Sequence, residues 1–457
     1  MKAFKIVMIS ALVIFFLGNT IAIDAFELHG KIHKNVYIQD LDMWGLTKQE
    51  AKDKLNKKIN NNSILKLTCE EKKYEVSLTD LKINYKIDEM IDEAYNVGRN
   101  KDIFSNIKTR IKLDMGEKYT VKINSSYEDK IIENYINYIE KEVNKEPINA
   151  TIRMENEVLV VEKEEYGIRV EKDKLKEIIN NKINEISFEE EKIPNIKIKP
   201  MHVYEELSKI DTVLGTYETI FNKNPSNRAN NINVGASATS DILLSQYEEF
   251  SFNKYTSTPD VLSKFKEATV ILNGHIEKGI GGGICQVSTT IYNAALYAGL
   301  EITDVRNHSI PSAYVEKGRD STVSGVQLDL KFKNKFETPI YIYNKVVDNK
   351  IVSTIYGNKE DKKDIDIVTE TIKTISNKTK VIENKDLYVG EEQVKEKGRL
   401  GYKVNTFRIY KNNNEPIKEF VYESYYPPMD KEIIIGIKEK EENKKQELHQ
   451  NLNTEIL

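Results

Sequence analysis

The sequence predicts an α+β multidomain protein: an N-terminal transmembrane helix, α+β binding modules, an α+β central domain and a C-terminal all-β module. Three observations predict it. The chain has 457 residues, which at about 150 residues per domain allows roughly three domains. Helical and strand-like patterns follow one another through the first two hundred or so residues, whereas residues 361–438 carry strand patterns with spaced glycines. The composition, 39% hydrophobic and 31% charged, is that of an ordinary globular chain. A net charge of -4 leaves no basic footprint and argues against a nucleic-acid partner. Two cysteines, Cys69 and Cys285, exclude a disulfide framework and an all-cysteine zinc ribbon.

Lys2 and Lys5 precede an apolar run from Ile6 to Ile23, just long enough at about 1.5 Å per residue to cross the hydrocarbon layer. Residues 1–25 are therefore expected to anchor the chain in the cell membrane, N-terminus inside and bulk outside. Cleavage as a secretory signal near Ala22 or Ala25 is the alternative. No second run of this kind occurs, which excludes a channel or transporter.

Residues 35–200 read as an α+β region of one or two modules. Thr47 has the character of an N-cap for a helix over Lys48 to Leu55. LKLTCEEKKYEVSL alternates as a hairpin around Cys69 and Tyr74, and a helix follows around Met90 to Val97. The theme repeats with a helix over Tyr127 to Glu142, the strands of ATIRMENEVLVVEKEEYGIRV and the helix KDKLKEIINNKI. Trp44 with Tyr37 reads as a packing cluster, and His29, His33 and His202 as solvated residues. In residues 211–358 lysine and glutamate thin out while glycine, serine and threonine rise, ending in the strand patterns VQLDLKF, PIYIY and IVSTIY. Residues 439–457 form a charged tail without apolar periodicity.

Chemistry concentrates in GIGGGICQVSTTIYNAALYAGL, Gly279 to Leu300. Three glycines, Gly281, Gly282 and Gly283, lead into a helix whose apolar residues Val287, Ile291, Ala294, Ala295 and Ala298 share one face. Cys285 then lies at the helix start, where unpaired N–H groups and the helix dipole favour a thiolate. Downstream come a short strand, His308 and Asp320, the order a thiol nucleophile, its base and an orienting carboxylate require. Papain-like and transglutaminase-like folds share this layout, as an analogy only. The plain alternative is a buried structural cysteine. Catalytic candidates are thus Cys285, His308 and Asp320, with Gly281, Gly282, Gly283, Gln286, Ser309 and Tyr314 as candidate substrate contacts. Zinc on His275, Cys285 and His308 with Asp304 or Asp320 lacks local ligand spacing, and no metal or cofactor is expected. Tyr422, Tyr425 and Tyr426 are candidates to line a polysaccharide groove.

Residues 211–356 resemble the VanW family, through Phe250-Ser251-Phe252-Asn253, GGGICQVSTTIYNAALYAGLEI, Arg306 with His308-Ser309, Gly318 with Asp320, and Asp329-Leu330 with Phe332 and Asn334. Two departures stand out: Gln246-Tyr247 replaces a usual Pro-Gly pair, and Ser321 a usual alanine. The region upstream resembles the peptidoglycan-binding module that often precedes such domains, through VYIQDLDMWGLTKQEAKDKL and DEAYNVGR. Residues 361–438 resemble the G-five domain, through GRLGYKVNTFRIY and YYPPMDKEIIIG. The resemblance implies a membrane-anchored extracellular cell-envelope protein that binds peptidoglycan or another wall glycan and acts as a wall-associated accessory protein. The residues themselves leave open a second function, a thiol-dependent acyl-transfer or amide-hydrolysing enzyme acting on wall peptides through Cys285.

Overall fold

The computed structural model describes residues 30–439 apart from 225, 273–274, 326 and 412–414. The expected anchor at residues 1–25 and most of the charged tail lie outside the described residues. Among the described residues no helix is long and apolar enough to cross a membrane. The chain forms two compact units.

The first unit takes in residues up to Ile148 and Glu165–Pro200. Its helix Lys48–Asn61 starts at Thr47, whose hydroxyl accepts the Glu50 N–H while the Glu50 carboxylate accepts the Thr47 N–H at 2.8 Å. This reciprocal cap satisfies two donors that a helix start otherwise leaves open, and the helix runs six residues past the expected Leu55 (61 − 55). The hairpin pairs Ile64–Cys69 with Lys72–Ser77, and helices follow at Ile87–Asn96, Asp129–Val143 and Lys172–Glu185. A further helix, Ile103–Asp114, escapes the sequence pattern because it buries only Leu113. One continuous apolar core joins residues from Ile32 to Ile193, so the two repeats of the theme fold as one body. Two local expectations change. Trp44 stands 62% exposed instead of packing on Tyr37, and His33 is buried beside Ile32, 3.8 Å from Asp114, instead of solvated.

The second unit takes in Asn149–Glu164 and everything from Met201 onward. Its first piece is a correction to the expected boundaries: the hairpin Thr151–Glu155/Val158–Glu162 belongs here and not with residues 165–200. Ala150 and Ile152 bury against Leu207, Ile210 and Tyr341, and the Tyr341 hydroxyl accepts the Met154 N–H at 3.1 Å. Apolar burial here outweighs sequence proximity.

The central domain is a four-stranded antiparallel sheet, ordered Thr212–Ile220, Lys350–Gly357, Ile340–Val347, Ile242–Leu244, with helices Ser226–Ala238 and Ile284–Tyr297 packed on it. Gly215 permits this approach: a Cβ there would stand 2.3 Å from the Ala294 carbonyl oxygen. A second sheet pairs Lys331–Lys333 with Glu249–Ser251 and Glu301–Asp304, placing Phe250 against Phe332 with ring centroids 4.5 Å apart. The pattern VQLDLKF thus yields only the short strand Lys331–Lys333. Tyr247 occupies φ 61°, a left-handed conformation that favours glycine.

Residues 365–438 form two three-stranded sheets. One orders Ile365–Ile375, Gly401–Tyr410 and Ile417–Tyr426; the other orders Thr379–Tyr388, Lys431–Lys438 and Glu392–Glu396. Ile367, Val421 and Tyr422 of the first sheet pack against the core of the central domain.

Candidate active site

The glycine run sets the entry to helix Ile284–Tyr297. Gly281 and Gly283 adopt φ of 84° and 116°, and a Cβ on Gly282 would stand 2.4 Å from the Thr269 carbonyl oxygen. Only glycine meets both demands. Gly283 is the N-cap, so Cys285 is the second residue of the helix. The helix is buried on every side from Gln286 to Leu296, not on the single apolar face that periodicity suggests. Its polar residues are used to hold the loop that carries Asp320. Asn293 exchanges hydrogen bonds with Arg319, the Thr289 hydroxyl accepts the Ser321 N–H at 2.9 Å, and the Ser288 hydroxyl donates to the Ser321 carbonyl at 2.8 Å.

That loop brings the three candidate catalytic residues together. Asp320, 2% exposed, accepts both the His308 backbone N–H at 2.7 Å and the imidazole Nδ1 at 2.6 Å on its Oδ2. His308 and Cys285 are near enough that each shifts the ionisation of the other. In its neutral form the thiol also points at the Val323 carbonyl, 3.5 Å away. Burial alone would lower the His308 pKa, but the hydrogen bonds to Asp320 and Cys285 raise it to about 10. Burial likewise opposes ionisation of Cys285, yet the hydrogen bond and charge of His308, with a smaller contribution from Arg228, bring its pKa below the ordinary thiol value. The pair therefore favours thiolate and imidazolium. Cys69 shows the contrast: it is packed at the end of a strand, and burial pushes its thiol up.

The remaining candidates divide by placement. Tyr314 lines a cleft of about 500 Å³ together with Arg228, Gln286 and the end of strand Thr212–Ile220. Gln286 is only 1% exposed, and its amide is fully engaged, accepting from Arg228 at 2.7 Å and donating to Thr219 and the Ile220 carbonyl. The backbone N–H groups of Ile284 and Gln286 are also taken, by the carbonyls of Gly281 and Gly283. The Ser309 carbonyl accepts from Arg399 at 3.5 Å, which ties it to the loop before strand Gly401–Tyr410. His275 lies on strand His275–Ile280, and among the described residues no His, Cys, Asp and Glu cluster suits a metal ion.

One member of the site is expected from the sequence elsewhere, in a polysaccharide groove, and not among the catalytic or substrate-contact candidates. The Tyr426 hydroxyl, from the C-terminal sheet, donates to Asp320 Oδ1 at 2.5 Å and accepts the Gly318 N–H at 2.7 Å. Tyr426 is fully buried, which corrects its expected place in a polysaccharide groove. Thr406 and Arg408 of the same sheet donate to the carbonyls of Gly318 and Leu300 at 2.7 and 2.8 Å. The C-terminal module is thus built into the support of the carboxylate. Tyr426→Phe leaves a buried carboxylate oxygen short of a donor, so about 1–3 kcal/mol of stability is expected to be lost. Chemical denaturation measures that loss, and slower alkylation of Cys285 is expected to accompany it.

A cysteine at a helix start, with histidine and aspartate behind it in an α+β domain, is here the centre of a VanW-like domain: residues 227–356 match the family described as "VanW like protein". Residues 74–189 match "Putative peptidoglycan binding domain" and residues 366–438 match "G5 domain". The chain thus carries, in order, matches to a putative peptidoglycan-binding domain, a VanW-like domain and a G5 domain. It is similar to the uncharacterized protein YoaR of Bacillus subtilis (strain 168), 36% identical over 167 residues, covering 36% of this chain and 55% of that protein. It is also similar to the vancomycin B-type resistance protein VanW of Enterococcus faecalis (strain ATCC 700802 / V583), 27% identical over 139 residues, covering 29% of this chain and 50% of that protein. The chain spans about half the length of the curated relatives it matches. Among solved structures, that of the IgA1 protease G5 domain is 34% identical with a TM-score of 0.14, covering 17% of this chain and 94% of that one.

Proposed function

We propose that this chain is a thiol-dependent enzyme of the cell wall, transferring or hydrolysing acyl groups of peptidoglycan peptides, with Cys285 as nucleophile, His308 as general acid and base, and Asp320 as the group that orients the imidazole. The observation that carries the proposal is the half-buried Cys285 beside the buried His308–Asp320 pair, in which the thiol is pulled down and the imidazole pulled up. A structural cysteine needs no such partners. An accessory, purely binding role accounts for the flanking modules but leaves the relay without a use.

The chemistry follows from the arrangement. The thiolate adds to the scissile carbonyl, so that a C–S bond forms as the C–N bond breaks. His308 gives its proton to the leaving nitrogen, which departs as an amine. A second peptide's amine, or water, then attacks the thioester while neutral His308 takes its proton. The C–S bond breaks and the ion pair is restored. The Cys285 backbone N–H, in the first helical turn, is the donor best placed for the developing oxyanion. The peptidoglycan-binding and G5 modules supply retention on the wall, and the apolar run from Ile6 to Ile23 the tether to the membrane.

The test is incubation of the protein with purified muropeptides, read by chromatography and mass spectrometry. New cross-linked or shortened peptides with the wild type, and none with Cys285→Ala, support the proposal. Retention on wall sacculi with identical peptide profiles for both proteins refutes it and favours the accessory role.

A further inference from the structure

The cleft that Gln286 and Tyr314 line also holds a cation that no carboxylate pairs with among the described residues. Arg228 lines it, with Nη2 donating to Gln286 Oε1 at 2.7 Å and Nη1 3.2 Å from where a Cβ on Gly283 would stand. Gly283 and Gln286 bracket Cys285 in the chain, and the Arg228 charge acts on the Cys285 thiol. Its orientation is fixed from behind, because Gln286 spends its own donors on Thr219 and the Ile220 carbonyl. A guanidinium carries five N–H donors in a planar fork, and among the described residues no carboxylate forms an ion pair with this one. The other charged residue lining the cleft, Glu218, is already paired with Lys350 at 2.7 Å. The rest of the lining is neutral, including Asn222 and Tyr314.

The charge balance of the site gives this cation a purpose. Thiolate, imidazolium and the Asp320 carboxylate together carry one net negative charge, which would repel an anionic peptide. Arg228 cancels that charge and offers a fork matched to a carboxylate.

We infer that Arg228 is a specificity residue that takes a free carboxylate of the acyl-donor peptide, close to the bond that Cys285 attacks. The substrate is then an acidic peptide whose acid group adjoins the scissile amide. This rests on the thiol-transfer function proposed above, and the experiment separates the two.

Cys285 is alkylated with iodoacetate, which carries a carboxylate, and with neutral iodoacetamide, in wild type, Arg228→Gln and Arg228→Lys. A charge-assisted hydrogen bond of ordinary strength corresponds to about tenfold in rate. Arg228→Gln is therefore expected to slow iodoacetate about tenfold more than iodoacetamide, with Arg228→Lys in between. A muropeptide stem ending in a free carboxylate should lose about tenfold more kcat/KM in Arg228→Gln than the same stem ending in a carboxamide. Because each result is a ratio, a general loosening of the site cancels. If His308→Gln slows alkylation of Cys285 but the iodoacetate preference is the same in all three Arg228 forms, the inference fails and the thiol site stands. If His308→Gln leaves alkylation unchanged, both fail.

Discussion

Replacing Cys285 by alanine is expected to abolish turnover of wall peptides, a fall of about 10⁴-fold or more, while leaving binding to peptidoglycan intact. The two properties belong to different parts of the chain: the thiol lies at the second residue of helix Ile284–Tyr297, whereas the peptidoglycan-binding match covers residues 74–189. Serine is expected to be no better than alanine. His308 lowers the thiol pKa by hydrogen bond and charge, but a serine hydroxyl starts far too high to be ionised by the same pairing. Melting curves serve as the control, since alanine in place of a half-buried cysteine changes little volume. Turnover by Cys285→Ser and full retention on sacculi by Cys285→Ala are read in the same preparations.

The second large effect is expected at Asp320. Its Oδ2 holds His308 through both backbone N–H and Nδ1, and its Oδ1 accepts from Tyr426. Asparagine must present an NH₂ group to one of these donors. The result is a donor facing a donor in a buried site, which costs about 1–3 kcal/mol of stability. The imidazole loses the interaction that most raises its pKa, and with it the tautomer that aims the ring at Cys285. A fall in turnover of about 10³–10⁴-fold follows from losing that orientation. The sign can be checked by titrating His308 by NMR: its pKa, about 10 in the wild type, drops in Asp320→Asn. An unshifted His308 would mean that Asp320 does not govern the ring.

Much of this site is legible in the sequence, and the rest is hidden for identifiable reasons. Cys285, His308 and Asp320 lie within 36 residues of one another (320 − 285 + 1), and their order along helix, strand and loop already suggests a relay. Gly281 to Gly283 announce an entry that only glycine allows. Arg228 gives no local signal, because its contact with Gln286 depends on one helix packing over the start of another. Tyr426 lies 106 residues beyond Asp320 in a strand pattern that favours tyrosine anyway. Helix Ile284–Tyr297 misleads in a third way. Serine, threonine and asparagine on it suggest a solvated face, yet Ser288, Thr289 and Asn293 are buried and satisfied by the loop that carries Asp320. Hydrophobic periodicity registers apolar burial only, so a helix buried on polar contacts looks half exposed. Within residues 149–164 the hairpin pattern is plain, but its membership in the second unit depends on Tyr341, far along the chain.

The central claim is that His308 ionises Cys285, and the pH dependence of alkylation tests it most directly. Wild type and His308→Gln are treated with iodoacetamide across a range of pH, and the extent of reaction at Cys285 and Cys69 is read from their separate peptides by mass spectrometry. Only the thiolate reacts. In the wild type the Cys285 rate is expected to rise at a midpoint below 9.0, because the pairing with His308 holds the thiol below that ordinary value. The pair persists as pH rises until His308 itself gives up its proton near about 10, beyond which the general acid for the leaving amine is gone. In His308→Gln the largest opposition to the desolvation of Cys285 is gone, so its midpoint moves up. Cys69, packed and pushed up by burial, should resist reaction in both proteins. Coincident Cys285 titrations in wild type and His308→Gln, or a wild-type midpoint at or above 9.0, would contradict the account.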